Sequence, residues 1–224
     1  MRAYGKTMRL IPCIIAMLAI ATVPAMGIPW INEFHYDNVS TDVGEFIEIA
    51  GEAGTDLSDY TLYLYNGTGG AVYDTLALSG VLADQQNGFG TLAFDYPVNG
   101  IQNGPSDGFA LFDSDSATVI QFLSYEGSFT AVDGVAIGLT STDVGIAETT
   151  PTPVGHSMQL TGTGSHASDF TWSGPLAATK NGVNADQQFT CVSVPDFTPT
   201  LGILLLALAG MSAFRRLPAG SRSG

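Results

Sequence analysis

The chain has 224 residues, with 21 Asp and Glu against 7 Lys and Arg, and a formal net charge of −14. Nearly all the basic residues lie at the two ends, so residues 28–193 carry 20 acidic residues and one lysine, a net charge of −19. Binding to a nucleic-acid backbone needs clustered Lys and Arg, so we expect no nucleic-acid partner. Docking on anionic lipid is disfavoured for the same reason. The composition favours solubility, cation binding or tolerance of salt.

The first 27 residues have the three-part pattern of a secretory signal peptide. Three basic residues precede an apolar run over 10–23, and the small residues Ala25 and Gly27 follow it. We predict a signal peptide over residues 1–27 with cleavage after Gly27, or alternatively after Ala25. An uncleaved membrane anchor is the other interpretation, but a run of about 14 apolar residues is short for a span that needs roughly 20. The chain is therefore expected to be exported.

Residues 28–190 are predicted to form one all-β domain, a β-sandwich, because short apolar runs alternate with turns rich in Gly, Asn and Asp. In the second run, Ile47 and Ile49 face one side and Glu48 the other, which predicts one packed face and one solvated face. Residues 140–155 are predicted as a long surface loop, and 180–188 as the polar end of the domain. The predicted strands are Trp30–Tyr36, Glu45–Ala50, Tyr60–Tyr65, Ala71–Leu78, Gly90–Phe94, Gly108–Asp113, Val119–Tyr125, Ser157–Leu160 and Asp169–Trp172.

The first strand is expected to carry Ile31 and Glu33 on one side and to pair with the second strand. An acidic loop joins the two, and calcium prefers six to eight oxygen ligands of the kind this loop supplies. The candidate calcium ligands are Asp37, Asp42 and Glu45. The alternative interpretation is a solvated acidic loop with no cofactor. A second acidic cluster, Asp113–Asp115, is open to the same two interpretations.

Catalysis is not indicated by any motif. The histidines, at positions 35, 156 and 166, lie in no metal-binding or nuclease motif. A Gly-x-Ser-x-Gly nucleophile elbow is absent from the sequence. We therefore expect a non-catalytic module with a binding or structural role.

A tyrosine-rich region is the candidate binding surface. Tyr60, Tyr63, Tyr65 and Tyr73 fall in two consecutive predicted strands. An exposed stripe of tyrosines is typical of carbohydrate-binding surfaces, whereas buried cross-strand tyrosines stabilise a sheet. An extracellular polysaccharide or a surface protein is accordingly the expected partner.

The C-terminal region combines a short motif, an apolar segment and a basic pair. A linker over 191–200 holds Val194, Pro195 and Asp196, and the segment 201–224 begins with an apolar run over 201–214 that Arg215 and Arg216 follow. A helix of about 14 residues reaches only about 21 Å, so it is a marginal membrane span. We predict that the chain is held in a membrane through this helix at least transiently.

These C-terminal residues resemble a PEP-CTERM-type sorting signal in its Val-Pro-Asp variant. The motif Val194–Asp196, the apolar run and the pair Arg215–Arg216 carry the resemblance. It implies recognition and processing by an exosortase-like enzyme, and a location at the cell surface, in the envelope or in the extracellular matrix. A plain C-terminal membrane anchor is the alternative.

The domain itself resembles a bacterial lamin-tail domain over about residues 29–190. The resemblance rests on Trp30–Asn38, Asp42–Ile49, Asp56–Tyr60 and Leu62–Gly67, with a looser match at 106–111 and 122–127. It implies an immunoglobulin-like β-sandwich on a secreted protein. Similar domains occur beside secreted nucleases and phosphatases, so an accessory module of such a hydrolase system is the alternative function.

Overall fold

A computed structural model describes residues 27–191. The predicted signal peptide up to residue 26, the sorting motif at 194–196 and the segment 201–224 lie outside the described residues. Within the described part, no helix has the length and apolar character needed to cross a membrane.

Eleven strands form two sheets in residues 27–191. The first sheet has the order β10-β9-β1-β2-β5, with β11 added to β9, and the second has the order β4-β3-β6-β7-β8. All pairs are antiparallel except β9 with β11 and β7 with β8. The bounds are β1 Trp30–His35, β2 Phe46–Glu52, β3 Tyr60–Asn66, β4 Ala71–Ala77, β5 Phe89–Asp95, β6 Gly108–Asp113, β7 Thr118–Ser124, β8 Thr142–Asp143, β9 His156–Gly164, β10 Phe170–Ala177 and β11 Gln187–Phe189, with a 3-10 helix at Ala167–Asp169.

The main hydrophobic core lies between the two sheets, which confirms the all-β, sandwich-like prediction. Alternation along each strand directs every second side chain inward, so both sheets contribute apolar residues to one layer. Phe34 of β1 meets Phe109 of β6 edge-to-face, with ring centroids 4.9 Å apart. The inward residues include Ile31, Phe34, Ile47, Ile49 and Met158 from the first sheet and Leu62, Leu64, Phe109, Leu111 and Leu123 from the second.

The nine predicted strands all occur, with ends that differ by a few residues. The prediction that Ile31 and Glu33 share a side is wrong, because a β-bulge shifts the register between them. A bulge adds one residue to a strand and so reverses the facing of the residues beyond it. Ile31 consequently packs in the core, while Glu33 lies on the outer side of the sheet with Glu48, its cross-strand partner.

The centre of the outer face of the first sheet is covered, not solvated as predicted. Residues 178–187, which include most of the stretch 180–188 predicted as the polar end of the domain, run over this face and lead into β11. Glu33 and Glu48 are both fully buried beneath this segment. The segment closes over them with backbone N–H groups, from Thr179 to Glu33 at 2.9 Å and from Asn181 to Glu48 at 2.6 Å.

Candidate functional site

The three predicted calcium ligands lie in the loop between β1 and β2, and all three are buried. Glu45 accepts hydrogen bonds from the backbone N–H groups of Gly100 and Ile101, at 2.7 and 3.0 Å. Asp42 accepts from the backbone N–H of Asn38 at 3.0 Å. The solvated-loop interpretation is therefore wrong, because these carboxylates tie the β1–β2 loop to itself and to the β5–β6 loop.

Calcium at this loop stays a prediction. Burial, and next the neighbouring Asp42 carboxylate, raise the pKa of Asp37. The backbone N–H donors to Asp42 and Glu45 already use part of the acceptor capacity that a cation would need. In residues 27–191, no group of three or more His, Cys, Asp or Glu side chains is arranged to hold a metal ion.

Beside this loop lies an open polar cleft of about 440 Å³. It forms where the tip of the β3–β4 hairpin meets the β5–β6 loop, because antiparallel pairing puts the end of β3 beside the start of β6. Tyr65 pairs with Gly108 at that edge. The polar side chains that line the cleft include Asp42, Asn66, Asn99, Gln102, Asn103 and Asp107.

The walls of the cleft are held by hydrogen bonds to the backbone. Asp107 is buried and accepts from the N–H groups of Gly67 and Gly104, at 2.7 and 2.9 Å. The Gln102 backbone is fixed at both ends, since its N–H donates to the Tyr73 hydroxyl at 2.9 Å and its carbonyl accepts from the Tyr125 hydroxyl. The cleft is thus shaped before any ligand arrives.

Four of the residues that line the cleft are predicted from the sequence only as turn formers. Asn66–Gly67, Asn99–Gly100, Asn103–Gly104 and Asp107–Gly108 are all Asn-Gly or Asp-Gly pairs, which are typical of tight turns. Predicting the cleft would have required the strand topology. Once β3 is paired with β6, these turns gather at one end of the sandwich.

Gly67→Ala is expected to open this edge of the cleft. A Cβ at Gly67 would lie 2.2 Å from the carbonyl oxygen of Ser106, a backbone atom that has no flexible end to give way. Overpacking of this kind costs about 1–3 kcal/mol of unfolding free energy. Urea denaturation should show that loss, whereas Thr68→Ala, at the exposed neighbouring position, should change little. Equal stability of the two variants would contradict the tight contact.

A buried histidine–glutamate pair lies behind the β1–β2 loop. His35 Nδ1 is 2.8 Å from Glu148 Oε1, and Asn38 Nδ2 is 2.9 Å from His35 Nε2. Asn38 Nδ2 also donates to the Val43 carbonyl at 3.1 Å, so its hydrogens face the ring and Nε2 accepts. This orientation favours a neutral ring with its proton on Nδ1, donated to Glu148.

The pair has the geometry of a general-base dyad but not the access that catalysis needs. Burial is the largest single influence and lowers the pKa of His35. The hydrogen bond and the charge of Glu148, with the Val43 carbonyl and the charge of Glu45, raise it, and the net direction is upward. The ring is almost completely buried, and Asn38 caps the nitrogen that a substrate would have to reach. In the structure, the His35–Glu148 pair joins β1 to the 140–155 loop.

That loop is more structured than the predicted surface loop. It contains β8, and Glu148 and Thr152 are buried within it. The two remaining histidines, His156 and His166, lie at the start of β9 and just before the short 3-10 helix.

The tyrosine region does not form the exposed stripe that would stack on sugars. Tyr65 is fully buried and its hydroxyl donates to the Asp133 carbonyl at 3.3 Å. Tyr60, Tyr63 and Tyr73 are only partly exposed and pack against apolar clusters. The cross-strand interpretation is therefore correct for Tyr65.

Neither family models, nor curated proteins, nor solved structures contain a match to this chain.

Proposed function

We propose that the chain is an exported, non-catalytic β-sandwich module that binds ligands or partners at the cell surface or in the extracellular matrix. The observation that supports it most is the pre-shaped polar cleft at one end of the sandwich. The His35–Glu148 pair, by contrast, is buried and capped, so the open polar chemistry of the described domain suits recognition more than catalysis.

The immunoglobulin-like and lamin-tail descriptions are part of this proposal. Two observations support these descriptions: β1 pairs with β2, and two sheets enclose a shared core. The C-terminal sorting signal, read by an exosortase-like enzyme, would place the domain outside the cell. The alternative, an accessory module of a secreted nuclease- or phosphatase-type system, requires approach to phosphate, which the charge of −19 over residues 28–193 opposes.

The proposal is tested by following the full chain in cells that have an exosortase-type enzyme. We expect the surface or matrix fraction to contain a protein that begins at Ile28 and has lost its hydrophobic tail, as read by intact-mass spectrometry. Replacement of Val194, Pro195 and Asp196 by alanine should leave the tail attached, while Thr198→Ala and Thr200→Ala together serve as the control. A full-length chain in the cytoplasm, with residue 1 present, would refute export.

A further inference from the structure

Three amide side chains of the cleft, those of Asn99, Gln102 and Asn103, each use one polar atom in a hydrogen bond to the protein. The other polar atom of each amide is free. Asn99 Oδ1 accepts from the Asp42 N–H at 3.3 Å, and Asn103 Nδ2 donates to Asp42 Oδ2 at 3.1 Å. Gln102 Oε1 accepts from Asn66 Nδ2 at 2.6 Å. Within residues 27–191, no hydrogen bond engages Asn99 Nδ2, Gln102 Nε2 or Asn103 Oδ1. Two NH₂ groups and one amide oxygen, each on a side chain that makes one hydrogen bond, are therefore left without a partner in this part of the chain.

The free groups define which ligand chemistry fits. Asn99 Nδ2 and Gln102 Nε2 require acceptors, which a bare cation does not have. Asn103 Oδ1 requires a donor. The carboxylates of Asp42 and Asp107 already accept from N–H groups of the protein, and their two negative charges oppose an anion. A hydroxyl group donates and accepts at once, so a neutral compound with several hydroxyl groups satisfies both sets.

We infer that the cleft is a binding site for a neutral saccharide. This assignment rests on the proposed function, because surface display is what brings the cleft to extracellular glycans. The volume of about 440 Å³ lies in the range of small-ligand pockets. The residues that line it include no aromatic side chain, so recognition is by hydrogen bonds rather than by stacking. We expect such an open site to bind weakly, with a Kd of about 1 mM.

The rigidity of the site follows from its backbone. Asp107 joins the hairpin tip to the β5–β6 loop. The Tyr73 hydroxyl holds the Gln102 main chain at its N–H group, and the Tyr125 hydroxyl holds it at its carbonyl oxygen. Groups already ordered in the free protein lose less conformational entropy when a ligand binds. Weak hydrogen bonds to hydroxyls then suffice for measurable binding.

The test is a titration of the full ¹⁵N-labelled chain with neutral trisaccharides (maltotriose, cellotriose and mannotriose), followed by NMR of side-chain NH₂ groups. The NH₂ signals of Asn99 and Gln102 are expected to shift, with saturation, for at least one of them. Trigalacturonate, an anionic trisaccharide, is expected to leave both signals in place. Calcium chloride is titrated separately.

Two conservative variants make the test specific. Gln102→Glu keeps the oxygen that accepts from Asn66 and replaces the free NH₂ donor by a negative oxygen. Asn99→Asp does the same while preserving the acceptor for the Asp42 N–H. Each is expected to weaken binding about tenfold or more, the effect of losing one hydrogen bond of about 1.4 kcal/mol. Gln188→Glu, at an exposed position on β11, adds the same charge and should leave binding unchanged.

Several outcomes would overturn the saccharide site. No NH₂ shift with any neutral trisaccharide at tens of millimolar would do so, as would equal binding of trigalacturonate. Shifts produced by calcium chloride alone would make the cleft a cation site instead. None of these results depends on where the chain is found in the cell, so failure of the saccharide site and failure of the export proposal are separate observations.

Discussion

The free energy of unfolding is expected to fall by about 3 to 5 kcal/mol as the pH is raised from 5 to 9. The cause is the pair of glutamates beneath residues 178–187. Burial, and next the Glu33 carboxylate opposite, raise the pKa of Glu48 from 4.5 to about 8. The folded chain thus binds a proton that the unfolded chain has released. The contribution of this proton to the free energy of unfolding is fully present below pH 4.5 and is lost as the pH rises through 8.

The hydrogen-bond geometry independently supports a proton in this pair. Thr179 Oγ1 lies 2.9 Å from both Glu33 Oε2 and Asn184 Oδ1, and it has one hydroxyl proton for two acceptors. Asn184 Nδ2 donates to the Leu160 carbonyl at 2.8 Å, which fixes Oδ1 as an acceptor. A proton on Glu33 Oε2 would satisfy both contacts. Burial, the largest cause, also raises the pKa of Glu33.

Urea denaturation at pH 5, 7 and 9, at constant ionic strength, measures the effect. Glu48→Gln should flatten most of the slope, because the replacement is neutral at every pH. Asp115→Asn, at an exposed site in the turn between β6 and β7, removes the same negative charge and should leave the slope intact. Stability that rises between pH 6 and 9, or an unchanged slope in Glu48→Gln, would show that the pair is not protonated.

The positions of these glutamates also show what sequence reasoning can predict here. Period-two alternation located β1 to β7, β9 and β10, since it depends only on residues within each strand. It assigned Glu48 to the outer face, which is where the side chain lies. Whether that face meets water depends on a segment far along the chain, since Asn181 and Glu48 are 133 positions apart.

The elements that were missed share that dependence on distant partners. The two-residue β8 and the three-residue β11 are short strands that pair in parallel with β7 and β9, and neither carries apolar alternation of useful length. The bulge after Ile31 has no sequence signal of its own. The cleft residues were visible as turns, but their convergence followed only from the pairing of β3 with β6.

Glu148→Ala is expected to destabilise the domain by about 4 kcal/mol, since buried donors left without an acceptor cost about 1–3 kcal/mol each. The Glu148 carboxylate accepts from the Tyr36 and Asp37 N–H groups, at 2.7 and 3.0 Å, and from His35. All three donors lie at or just beyond the end of β1 and are closed to water by the 140–155 loop. A loss of this size lowers the melting temperature by about 10 °C in a domain of this length.

Glu148→Gln separates the backbone contacts from the histidine contact. The glutamine oxygen can still accept from Tyr36 and Asp37, but its NH₂ group meets His35 Nδ1, so the ring must move its proton to Nε2. That proton then faces the Asn38 NH₂ group, at a cost of about 1–2 kcal/mol. Calorimetry gives the order of stability, and ¹⁵N NMR of the His35 ring reports the tautomer. If the glutamine variant melted with the unsubstituted chain and the original tautomer were retained, His35 would not be donating to Glu148. The end of β1 would then be held by the backbone contacts alone.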